Sequence, residues 1–240
     1  MTGKPRYRRV VLKLSGEALM GDQEFGMEHT ACEHIAKSVK EICDLGLEVG
    51  IVVGGGNIFR GRQAADFGFD QTPADHIGML ATMINGLILQ QSLARVGIES
   101  QVMSAINCSL IAESYKWIHA MHALQKGRVV IFVGGTSNPY FTTDTAAALR
   151  ASEVNAEILL KATKVDGVYD KDPLKNPDAK KFKTLTFSEA LAKKVQVMDA
   201  TALALCRENK IPVYVFNLFE EKSLVKAVTS SDDGSLISGD

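Results

Sequence analysis

Short, continuously apolar runs rich in β-branched residues alternate along this chain with longer helical patterns. RVVLKLS (9–15), LEVGIVV (47–53) and RVVIFVGG (128–135) are typical of buried strands. Between the first two, residues 28–46 have the periodicity of an amphipathic helix that ends at Gly46. Strands that are apolar on both faces need cover on both faces. The alternation therefore predicts an α/β fold with a mainly parallel sheet between helices.

The rest of the chain continues this pattern. No repeat, low-complexity tract or linker interrupts it, so we predict one domain over 1–240 with two lobes, about 1–150 and 151–240. Strands are predicted near 99–104, 156–163 and 213–217. Helices are predicted near 77–94, 113–127, 142–154, 187–194 and 199–209, with a Pro- and Asp-rich loop over 166–181 and a short helix before a polar tail.

The charge balance limits which ligands the protein can bind, and the cysteine spacing indicates its redox compartment. Lys plus Arg (27) nearly cancel Asp plus Glu (28), so no overall field favours nucleic acid or an anionic membrane. Any bound anion needs a local site. The cysteines have no CxxC spacing, which favours a reducing cytoplasm over a zinc site or a disulfide framework. They are Cys32, Cys43, Cys108 and Cys206.

Residues 77–94 form the one long uncharged stretch, about the length that spans a bilayer. Polar residues such as Thr82, Asn85 and Gln90 argue against a membrane span. Apolar residues around most of a helix indicate burial on several sides. We predict a core helix that also lies at an oligomer interface.

The stretch VVGGGNIFRG (52–61) predicts a phosphate site. Without Cβ atoms, Gly54, Gly55 and Gly56 let the backbone approach an anion and direct N–H groups at it. Arg60 offers a bidentate grip on phosphate. The alternative is a tight turn that requires positive φ, for which one glycine is enough. GxxxxGK[ST] and a helix-opening GxGxxG are both absent from the sequence, which argues against a P-loop or Rossmann site.

Lys13 lies inside an apolar strand, where an unpaired ammonium is costly. One interpretation is a lysine that extends to solvent from the strand end. Ser15 and Gly16 follow directly, and they favour the other interpretation, a phosphate contact.

Residues 134–150, GGTSNPYFTTDTAAALR, join a strand to a helix. Pro139 stiffens the loop, and Thr142 or Thr143 is placed to cap the helix. A helix N-terminus is a natural anion site. An acid there, Asp144, can hold a lysine or a metal ion, although ordinary capping explains the same residues.

KATKVDGVYDKDP (161–173) combines a strand end, a turn and an aromatic residue. Tyr169 beside polar groups such as Asp172 suits a purine ring. The alternative is a plain hairpin-like loop.

Five motifs in this order and spacing closely resemble the bacterial uridylate kinases of the amino-acid kinase superfamily: KLSGEAL, VVGGGNIFRG, DHIGMLAT, SNPYFTTDTAA and KATKVDGVYDKDP. The resemblance extends from Arg8 to about Ile237. It implies a three-layer αβα sandwich, a cytoplasmic homohexamer, and ATP plus UMP giving ADP plus UDP in pyrimidine biosynthesis. It also implies Mg²⁺ held mainly by the nucleotide phosphates, with no certain protein ligand.

The resemblance assigns the catalytic roles to Lys13, Arg60 and Asp144. The first two would neutralise the transferring phosphoryl group, and Asp144 would organise the lysine and the metal. The ATP site would lie mainly in the 151–240 lobe. Its implied residues are Lys13, Leu14, Ser15, Gly16, Gly56, Arg60, Thr163, Tyr169 and Asp172.

The UMP site would lie in the 1–150 lobe. By resemblance, Asp75 accepts from the ribose hydroxyls, Thr136 and Asn138 contact the uracil edge, and Thr143 holds the phosphate. The full implied set is Gly55, Asp75, Thr136, Ser137, Asn138, Pro139, Tyr140, Phe141, Thr142 and Thr143.

GTP is a candidate activator and UTP a candidate inhibitor by the same resemblance. Some family members hold GTP with basic residues on and just after the long helix. Here Gln90, Ala94 and Gln101 stand in that stretch, and Arg95 and Arg128 are the nearby basic groups.

Two alternatives to a UMP kinase remain at this point. A kinase of the same fold acting on a carboxylate or carbamate would need a basic or amide-rich pocket in place of Asp75 and TSNPYFTTD. A nucleotide-storage protein would be expected to lack Lys13, Arg60 or Asp144, and all three are present.

Overall fold

A nine-stranded sheet forms the centre of the protein, in a computed structural model that describes residues 4–60, 67–193, 195, 197–230 and 233–239. The strand order is β4-β3-β5-β2-β1-β6-β10-β11-β9, and β7 and β8 form a separate pair. The strands are β1 (Arg9–Leu14), β2 (Glu48–Val53), β3 (Ser100–Ser104), β4 (Glu113–Ser114), β5 (Val129–Val133), β6 (Ile158–Thr163), β7 (Val168–Tyr169), β8 (Lys181–Phe182), β9 (Thr184–Leu185), β10 (Val213–Asn217) and β11 (Ser235–Ile237).

Helices cover both faces of this sheet. Those on one face pack on a core that includes Ile35, Leu89 and Leu224. Those on the other pack on a second core that includes Leu124 and Leu203. The helices are α1 (His29–Asp44), α2 (Gln71–Arg95), α3 (Trp117–Gln125), α4 (Thr143–Glu153), α5 (Phe187–Ala192), α6 (Ala200–Glu208) and α7 (Ser223–Thr229), with a 3-10 turn over Gly16–Leu19.

The predicted α/β sandwich is confirmed. Within the described part of the sheet, β10 and β11 run antiparallel, and the other neighbouring strands run parallel. β1 lies in the middle, between β2 and β6. It therefore joins strands of the first 150 residues to strands of the remainder in a single sheet. The loops after β1, β2, β5 and β6 meet at one edge, where ligands of such sheets bind.

Three local predictions differ from the structure. The helix predicted near 113–127 begins only at Trp117, because Glu113–Ser114 pairs with the end of β3. The loop 166–181 contains β7, which pairs with β8 as a short hairpin. The polar tail contains β11, which pairs with β10. Each difference comes from backbone pairing with a segment distant in sequence or too short to show a periodicity.

The predicted long helix is α2. By length and composition alone it is long and apolar enough to cross a membrane, a test that core helices of soluble proteins also pass. It packs against α1, β3 and β5. Thr82 and Asn85 are buried and hydrogen-bonded within the protein. Leu80 and Ile84 remain about half exposed on its other side.

Candidate active site

Lys13 and Lys161 lie side by side on the two central strands. They are register partners in the parallel pair of β1 and β6, and both are buried. Side chains alternate between the faces of a strand. Their strand neighbours Val11 and Leu159 lie in the core beneath α4, so both lysines lie on that face too. Two buried ammonium groups this close require a carboxylate between them.

Asp144 supplies that carboxylate from the first turn of α4. Its Oδ1 lies 2.9 Å from Lys13 Nζ, and its Oδ2 lies 2.5 Å from Lys161 Nζ. Burial alone would raise the pKa of Asp144, but the two ammonium groups outweigh it and hold the pKa below the ordinary value. Burial lowers the pKa of Lys161 to about 8 against the attraction of Asp144. Asp144 thus holds a lysine, as one of the two interpretations of this residue predicts. The phosphate contact favoured for Lys13 stays a prediction.

Lys161 is not among the site residues predicted from the sequence. The signal was available, because Lys161 interrupts an apolar strand as Lys13 does. It follows Leu159 and Leu160, and the reasoning applied to Lys13 applies equally to it.

Asp199 is absent from the predicted site residues, although its position directly before a helical pattern predicts a helix cap, and this is confirmed. It caps α6 by accepting from the Ala202 N–H at 2.8 Å. The same carboxylate accepts from Thr142 Oγ1 at 2.5 Å and from Thr145 Oγ1 at 3.0 Å. Thr142 is the N-cap of α4. Asp199 therefore fixes the helix start that carries Asp144 and adds negative charge near Lys161.

Close packing explains Gly55 in the glycine loop, residues 54–56. None of Gly54, Gly55 and Gly56, all within the described residues, adopts the left-handed conformation, so the positive-φ alternative is wrong. A Cβ on Gly55 would lie 2.8 Å from both Ala81 Cβ and Gly78 O of α2. Around Gly56, by contrast, there is open space within 4 Å.

The turn after β1 packs against this loop. A Cβ on Gly16 would lie 2.8 Å from Gly56 N and 2.9 Å from Gly54 O. Arg60 closes the same region: it donates to Gly56 O at 3.0 Å and pairs with Glu17 at 2.8 Å. Segments far apart in sequence thus bring the turn after Lys13, the glycines and Arg60 together.

A cavity of about 820 Å³ opens at the ends of β1 and β6. Five predicted ATP residues line it: Lys13, Ser15, Thr163, Tyr169 and Asp172. Lys161 lines it too, with apolar groups that include Val168, Val197, Leu218 and Phe219.

Other predicted ATP residues lie elsewhere. The Leu14 side chain is in the core, and Gly56 lines a second, smaller cavity. Within the larger cavity, the Tyr169 hydroxyl donates to Asp166 at 2.5 Å, and this contact raises the pKa of Tyr169 to about 12. Asp172 accepts from the Leu174 N–H at 3.0 Å. These contacts order the loop after β6.

The smaller cavity, about 250 Å³, lies beside the glycine loop and the start of α2. Asp75 in its wall accepts from Gln71 at 2.7 Å and from the Tyr140 N–H at 2.7 Å. Its lining includes the predicted UMP residues Gly55, Asp75, Phe141, Thr142 and Thr143, together with Gly56, Phe59, Ala74, Gly78, Met79, Thr82 and Gly135.

The loop between β5 and α4 borders this cavity. Ser137 and Tyr140 adopt the left-handed conformation with φ of 68° and 71°, a costly state for residues other than glycine. Thr136 Oγ1 donates to Asn138 O at 3.1 Å within the loop. Pro139 lies between Asn138 and Tyr140. Backbone strain at this position is typical of a binding loop.

The described residues do not form a metal cage. They contain no group of three or more His, Cys, Asp or Glu side chains placed to hold an ion. Asp144, the predicted metal organiser, is engaged by Lys13 and Lys161. The residues therefore do not fit a metal held by the protein alone.

The polar and basic residues considered for an effector contact bind other residues of the same chain. Gln90 donates to Ser100 O at 3.2 Å, and Gln101 donates to Glu113. Arg128 pairs with Glu99 at 2.7 Å. Ala94 is exposed, and Arg95 contacts His29 at 2.8 Å.

The chain belongs to the amino acid kinase family, whose model matches residues 8–217. The two cavities and the buried Lys–Asp–Lys cluster therefore lie at the sheet edge of a member of a kinase family.

Its relatives are more particular. The chain is 55% identical over 233 residues to the uridylate kinase of Protochlamydia amoebophila, covering 96% of this chain and 92% of that protein. It is similar to the crystal structure of the UMP kinase from Bacillus anthracis, with a TM-score of 0.94 and 41% identity. The match covers 98% of this chain and 97% of that chain. It is also similar to the crystal structure of the UMP kinase from Ureaplasma parvum, with a TM-score of 0.92 and 39% identity. That match covers 98% of this chain and 100% of that chain.

Proposed function

We propose that this protein transfers the γ-phosphoryl group of ATP to the phosphate of UMP, giving ADP and UDP. The observation that carries the proposal is the pair of cavities beside one charge cluster. Lys13 and Lys161 line the larger cavity, and Thr143, next to Asp144, lines the smaller. A kinase that transfers a phosphoryl group from one nucleotide to another must bind both nucleotides beside the same cationic groups.

The chemistry asks little of the protein beyond position and charge. The transition state of phosphoryl transfer is loose and spreads negative charge over the phosphoryl oxygens, so no covalent nucleophile is required. In this proposal Lys13 and Lys161 stabilise that charge, and Arg60 adds a third cation. Asp144 keeps the two lysines in place without lying on the reaction path.

The donor nucleotide occupies the larger cavity. Tyr169 and the apolar side chains of Leu218 and Phe219 suit an adenine ring, and Thr163 and Asp172 supply polar groups near the ribose. The phosphates then point toward Lys13 and Ser15, at the end of β1.

The acceptor nucleotide occupies the smaller cavity. Asp75 suits ribose hydroxyls, which donate to a carboxylate. Thr143 and the N–H groups at the start of α4 suit the UMP phosphate. The left-handed loop with Thr136, Ser137 and Asn138 then contacts the base, and Gly55 allows close approach of the phosphate.

Magnesium enters this proposal with the nucleotide. When bound, Mg²⁺ neutralises charge on the donor phosphates. In this proposal the nucleotide phosphates hold the ion.

The test is ADP release from ATP and Mg²⁺ with a panel of acceptors: UMP, CMP, dTMP, AMP, carbamate, glutamate and aspartate. Turnover confined to UMP, and reduced about 100- to 1000-fold in Lys13→Ala, supports the proposal. Turnover with carbamate or an amino acid instead identifies another kinase of this fold. Nucleotide binding without turnover identifies a storage protein.

The proposal extends to assembly, regulation and location. Leu80 and Ile84 leave an apolar face on α2 that suits a subunit contact in a homohexamer, which native mass spectrometry tests. GTP as activator and UTP as inhibitor are tested by adding each to the same assay. Cytoplasmic location is consistent with four free cysteines.

A further inference from the structure

Two buried asparagines join the glycine loop to α2. Asn57 is 2% exposed and Asn85 is fully buried. Their side-chain amides pair reciprocally: Asn57 Nδ2 donates to Asn85 Oδ1 at 3.1 Å, and Asn85 Nδ2 donates to Asn57 Oδ1 at 2.7 Å. A buried amide pair of this kind holds two segments at one separation, because an unmet donor or acceptor there is costly.

The remaining amide hydrogens reach the main chain. Asn85 donates to Gly54 O at 2.6 Å, and Asn57 donates to Gly26 O at 2.8 Å. The Gly26 N–H donates back to Asn57 O at 2.8 Å. Both hydrogens of each side-chain amide are therefore used.

A further segment, the turn after β1, also meets this pair. A Cβ placed on Gly16 would collide with Asn57 Oδ1, so the turn rests directly on the amide. The pair thus contacts the turn after Lys13, the glycine loop, the segment before α1 and the helix that carries Asp75. Neither asparagine lines the larger or the smaller cavity, among the residues described around them.

We propose that Asn57 and Asn85 are positioning residues for phosphoryl transfer, a proposal that rests on the function proposed above. The amide pair sets the distance of the glycine loop from α2 on one side and from the Lys13 turn on the other. Acceptor and transferring phosphates are thereby aligned. Misplacement of reacting groups by about 1 Å costs on the order of 100-fold in rate.

The experiment compares Asn85→Leu and Asn57→Ser with Leu89→Ala. Leu89 is fully buried on the same helix, one turn beyond Asn85, so its truncation loosens α2 without touching the amide pair. Each variant is measured for Tm, for kcat, and for KM with ATP and with UMP, well below its Tm.

A positioning role predicts that kcat falls about 10- to 100-fold in both asparagine variants. KM for ATP should stay within about twofold of wild type, because neither asparagine lines the larger cavity. Leu89→Ala should have a lower Tm and an unchanged kcat. If the asparagine variants also have a lower Tm but an unchanged kcat, the pair has only a structural role and the proposal is overturned. Asn85→Ser replaces Asn85→Leu if the latter does not fold.

Amide hydrogen exchange separates this proposal from the proposed function. Faster exchange over residues 52–60 in the asparagine variants, but not in Leu89→Ala, supports the positioning role. Unchanged exchange there overturns it. A wild-type protein that fails to phosphorylate UMP overturns the proposed function, whatever the exchange shows.

Discussion

The carboxylate of Asp75 on α2 accepts a hydrogen bond at 2.7 Å from the backbone N–H of Tyr140, 65 residues further along the chain. Tyr140 is one of the two residues other than glycine that adopt the left-handed conformation in the loop between β5 and α4. The contact connects the start of α2 to this strained loop and holds both at the mouth of the smaller cavity. An acid proposed to bind a ribose thus also supports the loop proposed to bind the base.

Asp75→Asn should weaken UMP binding specifically. The amide keeps one oxygen acceptor but loses the charge, and a hydrogen bond to a charged group contributes about 1.5–3 kcal/mol. We expect KM for UMP to rise about tenfold or more, with KM for ATP unchanged. Steady-state kinetics with each substrate varied in turn measures both. Equal rises in the two KM values would contradict a specific role on the acceptor side.

Gly55→Ala and Gly56→Ala form a matched pair. The added methyl group at position 55 meets Ala81 Cβ and Gly78 O at 2.8 Å, whereas the one at position 56 enters open space. Overpacking costs about 1–3 kcal/mol, so Gly55→Ala should lower Tm by several degrees. Gly56→Ala should leave Tm nearly unchanged. Thermal unfolding measures the Tm of the two variants. An equal fall in Tm in both would refute the packing explanation.

Asp144→Asn should destabilise the protein strongly. Removing one member of a buried ion pair costs about 3–5 kcal/mol, and here Lys13 and Lys161 both lose their partner. Urea unfolding measures the loss. Asp178→Asn is the control, because it breaks an exposed pair with Lys171, worth about 0–1 kcal/mol. Similar losses in the two variants would mean that the buried cluster contributes little.

Adding Lys161→Met to Asp144→Asn should restore part of the stability and none of the activity. The second substitution removes one of the two uncompensated buried charges. Full recovery of turnover would show that neither group takes part in the reaction.

Activity of the free enzyme should fall as the pH rises through about 8. Burial lowers the pKa of Lys161 to about 8, so above that pH the side chain loses its proton and the charge that stabilises the transition state. We expect kcat/KM for ATP, which reports groups of the free enzyme, to decline toward tenfold per pH unit. Lys161→Arg keeps its charge and should remove this decline. The same decline in the arginine variant would assign it to another group.

Sequence patterns over a few residues were enough for the central strands, the main helices and the motif loops. Lys13 is an example: a charge in an apolar strand demands a partner wherever the strand lies, so an anionic contact could be predicted from local sequence. Lys161 required only the same reasoning. Short strands such as β4 and β11 could not be predicted. They have two and three residues, too few to show a periodicity, and they form only by pairing with β3 and β10.

The α/β class, the family resemblance and the residue types at the sheet edge follow from the sequence alone. Which of these residues meet depends on the tertiary structure: Lys13 with Lys161 in register, Asp144 between them, Asp199 under the start of α4, and Asn57 against Asn85. The reason is physical. Propensity and periodicity act over one turn or one strand, whereas these contacts join segments tens of residues apart and exist only once the sheet order and the packing of the helices are set.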